Sequence, residues 1–274
     1  MGMDRMMTID VTYCGELVVQ AGDEIYRQMA RTEEWPQERE GLFQRFKEID
    51  LFMTSTLRDG LMKRYPGIPW SEAEFDVTRQ KSPEFEGTYW VCDTLDGAVH
   101  YLHDLPSWSI SLCLVHGGKP SAAFIYDPVK RELFHAEAGR GAYLNGKPIH
   151  VSAKRQLADS VIATSPPSYP AEEPVLTQAA VQGLSRVFPK AFAVRMLGAV
   201  SLQLAYVACG RLDGFWEYSF DLYEWLAGAL LIQEAGGRVT SSGGEAFDWG
   251  STGIVAANPY IQPQLQLLVQ EDAA

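Results

Sequence analysis

Apolar and polar positions change their rhythm along this chain. Residues 11–30, VTYCGELVVQAGDEIYRQMA, carry apolar side chains at helical spacing with few breakers, which predicts a helix. A polar connection, RTEEWPQERE (31–40), follows. Residues 48–66, EIDLFMTSTLRDGLMKRYP, predict a second helix ended by Pro66, because proline cannot continue the hydrogen-bond ladder. Residues 67–86 are irregular and acidic, with Glu72, Glu74 and Asp76. From Thr88 the period shortens to two. TYWVCD (88–93), SWSISLCLVHGGKPSAAFIYDP (107–128) and ELFHAEAGRGAYLNGKPIHVS (132–152) alternate as strands do. Gly-Gly, Asp-Pro and Asn-Gly turns punctuate them, Asn145-Gly146 being the clearest hairpin signal.

Beyond Ala153 the two periods interleave. Strands are predicted at 160–165, 191–197, 212–218 and 252–258, and helices at 173–188, 199–210 and 224–237. That order predicts an α/β lobe built on a sheet. The expected organisation is an N-terminal α+β lobe, residues 1–150, and a C-terminal α/β lobe, residues 151–274, forming one structural unit.

Composition narrows the function classes. The charge balance, 23 − 35 = −12, argues against non-specific binding to nucleic acid or to an anionic membrane. It would also repel a phosphorylated substrate unless bound cations reversed the local field. No apolar stretch approaches the length of a membrane span, and MGMDRMMTIDV lacks the apolar core of a secretory signal. Cys14, Cys92, Cys113 and Cys209 lie scattered among apolar neighbours without CxxC spacing. They read as reduced core thiols of a cytoplasmic protein.

The candidate chemistry sits in WVCDTLDGAVHYL, residues 90–102. Here a hydrophobic run stops at Asp93 and Asp96, followed by Gly97 and Ala98. Side chains three apart in a turn leaving a sheet can converge on one ion, and hard divalent cations take oxygen ligands. Gly97 lets a backbone amide approach an anion, and amides at a following helix start can hold phosphate oxygens. Asp-x-x-Asp-Gly alone equally describes a turn with a helix cap.

The surrounding blocks decide between these readings. DTLDGAVHYLHDLP, RMLGAVSLQLAYVACGRLDGFWEY and LAGALLIQEAGGRV together resemble the inositol monophosphatase family. That family's pattern runs Asp-Pro-(Ile/Leu)-Asp-Gly-Thr, Asn-(Phe/Tyr)-x-x-x-(Phe/Leu)-Pro and Trp-Asp-x-x-Ala-Gly…Glu-Ala-Gly-Gly. The resemblance covers nearly the whole chain from Ala21 onward. It implies a layered αβαβα sandwich, a homodimer, and a Mg²⁺-dependent hydrolase, a phosphatase acting on a small phosphorylated substrate. By position it implies Mg²⁺ ligands at Asp93, Asp96 and the carbonyl of Leu95. It also implies a phosphate cradle at Gly97 and the amide of Ala98, a loop touching the substrate ring at Gly198, Ala199 and Val200, and a substrate-hydroxyl acceptor at Glu217. Asp50 matches the family's upstream aspartate.

Several positions depart from the pattern. The family's Gly-Glu-Glu is SEAE here, so Glu72 takes the metal-binding place with a one-residue deletion, and Glu74 is the surviving acid without it. In a strand the two would point the same way. Glu224 stands at the final metal aspartate, with Asp221 nearby as a substitute, and His100 stands at the family's asparagine. Ala98 and Ala73 replace a threonine and a glutamate that help activate the attacking water in the family. The expected catalytic set is Glu72, Asp93, Asp96 and Glu224, with Glu74 and Leu95 as further metal ligands. His100 could replace the missing base or lie on a helix face, and His103 is expected to pack or cap locally. Two readings remain: a metal-dependent phosphomonoesterase for a small polyol or sugar phosphate, or a weakened or inactive member that binds metal or a phosphorylated metabolite. A bisphosphate nucleotidase is a further alternative.

Overall fold

The computed structural model describes residues 9–29 and 36–270. The N-terminal segment, residue 30 of the first expected helix and residues 31–35 of the connection lie outside them. Two helices lead, α1 (Val11–Met29) and α2 (Arg39–Arg64). A meander follows: β1 (Thr88–Asp96), β2 (Ser109–His116), β3 (Lys119–Asp127), β4 (Glu132–Glu137), β5 (Ala142–Leu144) and β6 (Lys147–Ile149), with the short helix α3 (Ala98–Leu102) after β1. These six strands pair antiparallel in sequence order. Then come β7 (Val161–Thr164), α4 (Pro174–Val187), β8 (Ala193–Arg195), α5 (Val200–Ala208), β9 (Gly214–Glu217), α6 (Leu222–Glu234), β10 (Arg238–Thr240), β11 (Ile254–Ala257) and α7 (Gln262–Val269). The second sheet runs β10-β11-β9-β7-β8, with β7 parallel to both β8 and β9 and the other pairs antiparallel.

Alternation along the strands sorts side chains into three slabs. Trp90, Cys92, Leu112, Leu114, Phe124 and Tyr126 face α1 and α2, while Tyr89, Val91, Cys113, Val115, Ala123 and Ile125 face α5 and α6. In the second sheet Ala163, Phe215, Ile254 and Ala256 join that middle slab, and Ile162, Trp216, Val255 and Ala257 face α4 and α7. Successive strand residues point to opposite faces, so strands buried on both sides read as continuous apolar runs. The result is the helix–sheet–helix–sheet–helix sandwich that the family resemblance implied. All nine residues of α5 are buried because the helix lies between two sheets, as expected for one apolar on every side.

Two helix starts differ from the sequence pattern, and two elements are new to it. Helix α2 begins at Arg39, nine residues before expected, because Leu42, Phe43 and Phe46 already keep the helical spacing. Helix α6 begins at Leu222, with Asp221 as its N-cap. Strand β10 and helix α7 have no counterpart in the predicted elements.

Candidate active site

Strand β1 delivers the first two acids. Its register against β2 shifts between Asp93 and Asp96, and such a bulge re-aims side chains at a strand end. The Leu95 N–H donates to Asp93 Oδ1 at 3.0 Å. Asp96 accepts from the Val200 N–H at 3.2 Å and the Ser201 N–H at 2.7 Å, so its carboxylate sits on the positive N-terminal end of α5. Gly97 then turns the chain with φ +82°, and a Cβ there would lie 2.9 Å from the Ser107 carbonyl oxygen and 3.1 Å from Ala199 Cβ. Only glycine meets both demands.

The third acid arrives from α6, far along the chain. Glu224 lies in the first turn of α6, and carboxylate oxygens of Asp93, Asp96 and Glu224 all fall within 4.8 Å of one another. Asp221, Glu217, Glu74 and Asp50 surround this trio closely enough to raise the proton affinity of its members. Burial, reinforced by neighbouring carboxylates, drives Glu74, Asp93 and Glu224 well above the ordinary carboxyl range. Burial raises Asp96 and Asp50 too, against the hydrogen bonds each accepts. Burial pushes Glu217 up to about 8 and Asp221 to about 6. Acids held this way lack charge compensation. A donor set made wholly of carboxylate oxygens fits a hard divalent cation, which would supply it.

The structure separates the two glutamates of SEAE. Residues Trp70 and Trp90 form a bridge, and the Ser71 N–H donates to the Trp90 carbonyl at 2.8 Å, so this stretch is extended. The chain then turns, with the Asp76 N–H reaching the Ala73 carbonyl at 3.1 Å. Glu72 and Glu74 therefore do not share a face. The Glu72 side chain is 70% exposed and pairs with Arg58 at 3.2 Å, away from the acids. Glu74 points in, beside Asp93, Asp50 and Asp221. The expectation that placed Glu72 in the catalytic set is corrected here: in the extended stretch the buried Ser71 and Ala73 face inward and Glu72 outward, and the turn after Ala73 brings Glu74 in.

Other expected residues take these positions. Glu217, buried at the end of β9, accepts from Trp225 Nε1 at 2.8 Å. Gly198 has φ +100°, and a Cβ there would meet the Ser107 carbonyl at 2.6 Å and the His100 ring at 2.8 Å. Ala199 and Val200 spend their N–H groups on Ser107 and Asp96. Leu95 is buried in the α1–α2 slab, and Ala98 packs against it. Burial lowers the His100 pKa, which favours a neutral ring beside Gly198, while His103 is exposed after α3. Asp221, the less favoured substitute for Glu224 at the last metal position, is not one of the three acids that converge within 4.8 Å, and its Oδ1 accepts the Tyr223 N–H at 3.2 Å. Its position before α6 was a readable N-cap signal. A hydroxyl also reaches the cluster from an unexpected place: Thr94 Oγ1 donates to Asp50 Oδ1 at 2.6 Å.

The model for "Inositol monophosphatase family" matches residues 11–273. The chain belongs to this family. It is 32% identical over 269 residues to the inositol-1-monophosphatase of Rhizobium meliloti, covering 93% of this chain and 94% of that one. It is 34% identical over 218 residues to the Nus factor SuhB of Escherichia coli strain K12, covering 78% of each. The structure of inositol monophosphatase from Anabaena superposes with TM-score 0.79 at 27% identity, over 94% of both chains. Native SuhB from Bartonella henselae superposes with TM-score 0.79 at 29% identity, over 95% of this chain and 98% of that one. Within the family this chain is phosphatase-like, and no helix among its described residues is long and apolar enough to cross a membrane.

Proposed function

We propose that the chain is a Mg²⁺-dependent phosphomonoesterase for a small phosphorylated polyol or sugar, such as an inositol monophosphate. The convergence of Asp93, Asp96 and Glu224 within 4.8 Å carries this reading. The name of the Rhizobium meliloti relative supports the substrate class. Glu74, Asp93, Asp96 and Glu224, with the Leu95 carbonyl and with Asp221 beside them, would hold the ions. Bound Mg²⁺ supplies positive charge to the phosphate oxygens and makes its water ligand acidic enough to attack phosphorus.

The chain's own groups perform the rest. Gly97 lets the backbone at the start of α3 come close to the phosphate. Glu217 spends Oε2 on Trp225 Nε1, which leaves its other carboxylate oxygen to accept from a substrate hydroxyl. Ala73 is fully buried in the middle slab, so neither it nor Ala98 can move a proton. Asp50, held by the Thr94 hydroxyl, is a carboxylate that could take up that vacated role.

Phosphate release from inositol 1-phosphate, glycerol 2-phosphate, sugar phosphates and a nucleoside 3′,5′-bisphosphate tests the reading. Expected is turnover of a polyol or sugar ester that Mg²⁺ supports and EDTA abolishes. Mg²⁺ binding with no release from any ester would replace it with the weakened, metal-binding reading that Ala98 and Ala73 favour.

A further inference from the structure

Gln80 lies in a single 3₁₀ turn, Arg79–Lys81, and is 1% exposed. Its Nε2 donates to the carbonyls of Ala73 and Glu74, each at 3.0 Å. Its Oε1 accepts from the Tyr223 N–H at 3.3 Å, a donor shared with Asp221 Oδ1 at 3.2 Å. One neutral side chain thus ties the loop that carries Glu74 to the first turn of α6, which carries Asp221 and Glu224 and lies 143 positions away.

The turn holding Gln80 is itself braced. Asp76 Oδ1 accepts from the N–H groups of Thr78 at 3.1 Å and Arg79 at 3.2 Å. Arg79 pairs with Glu84, Glu84 accepts the Ser71 hydroxyl, and Ser71 also bonds the Tyr223 hydroxyl. Tyr223 is therefore held at both ends from the same loop. Gln80 holds the loop bearing Glu74 on α6 through three hydrogen bonds and adds no charge to the acids around it. A side-chain amide offers two donors and an acceptor without adding charge, which no carboxylate or ammonium can do.

We propose that Gln80 is a positioning residue for the cation cage, setting Glu74 at its working distance from Asp221 and Glu224. The proposal rests on the metal reading above and deepens it. Partners that orient metal ligands typically contribute about 10–100-fold in metal affinity.

The test compares wild type, Gln80→Leu, Gln80→Met and Gln266→Leu by electron paramagnetic titration with Mn²⁺, without substrate. Leu and Met keep the bulk of Gln80, which lines a cavity of about 240 Å³ with Val77, Phe220 and Leu222, so that cavity is not enlarged. Gln266 in α7 is a control of similar burial, donating to the Ser242 carbonyl at 2.8 Å and accepting from Thr240 at 2.6 Å away from the acids. Expected is a Mn²⁺ Kd raised about 10–100-fold in the Gln80 variants and unchanged in Gln266→Leu, with Tm lowered in both kinds. Phosphate release by the Gln80 variants should recover at high Mg²⁺ with substrate KM unchanged. Unaltered Mn²⁺ affinity in a folded Gln80 variant would overturn the proposal. So would failure of both Gln80 variants to fold where Gln266→Leu folds, since the role would then be structural. Absence of Mn²⁺ binding in wild type would remove the metal reading itself, and this proposal with it.

Discussion

Glu72 and Glu74 are two positions apart and meet opposite surroundings, one in solvent beside Arg58 and one among buried carboxylates. An exposed ion pair contributes about 0–1 kcal/mol, so Glu72→Gln should leave both stability and phosphate release near wild type. Glu74→Gln should raise the Mg²⁺ concentration needed for half-maximal release by about 10–100-fold, read from activity titrations of the two variants side by side. The reverse ranking would put the extended register back in force. Ala98 shows the same dependence on surroundings: its methyl packs on the α1–α2 slab, while the nearest hydroxyl on this turn, Thr94, faces Asp50. Composition alone could not say which of several acids face inward, because alternation holds only while the strand continues.

At the level of elements, the strand-to-helix turn at Gly97 is the sharpest constraint. Its φ of +82° and the 2.9 Å approach of the Ser107 carbonyl leave no room for a side chain. Gly97→Ala should destabilise the protein by about 1–3 kcal/mol, the usual cost of a non-glycine residue in such a conformation, and lower Tm in thermal unfolding. An unchanged Tm would mean that the turn relaxes freely. Strands β1 to β4 and helices α4 to α6 were legible because their apolar periods are long and clean. The early start of α2 was hidden by the charged residues around Leu42 and Phe46. Strand β10, three residues long, and α7, with Leu267 78% exposed, carry too little periodic signal to separate from loop.

For the whole molecule, the buried acids couple folding to pH. Glu217 rises from its ordinary 4.5 to about 8, and Asp221 from 3.8 to about 6. The folded state therefore binds these protons more tightly than the unfolded chain does. Their stabilisation is complete below the ordinary carboxyl values and is lost as pH rises through about 6 for Asp221 and about 8 for Glu217. In EDTA, Tm should fall between pH of about 5 and about 8.5, and Glu217→Gln should flatten the upper part of that slope. Mg²⁺ should raise Tm more at the higher pH, where carboxylates need not release protons to bind it. A Tm in EDTA that climbed with pH would contradict this electrostatic description.

Local pattern was sufficient for most of the strands and helices, since each carries its own period, and the ordered blocks around Asp93, Gly198 and Ala227-Gly228 carried the family resemblance that implied the sandwich. The family resemblance implied Glu72, Asp93, Asp96 and Glu224 as the catalytic set, of which Asp93, Asp96 and Glu224 converge and Glu72 does not. What it could not supply was distance between segments that meet only after folding. The inward turn of Glu74, the entry of Asp221 and the bridge made by Gln80 arise where a loop near residue 75 packs against a helix start near residue 222, and the hydroxyl of Thr94 meets Asp50 where β1 packs on α2. Pairings across that separation are set by the packing of the two sheets around α5 and α6, so they belong to the tertiary structure.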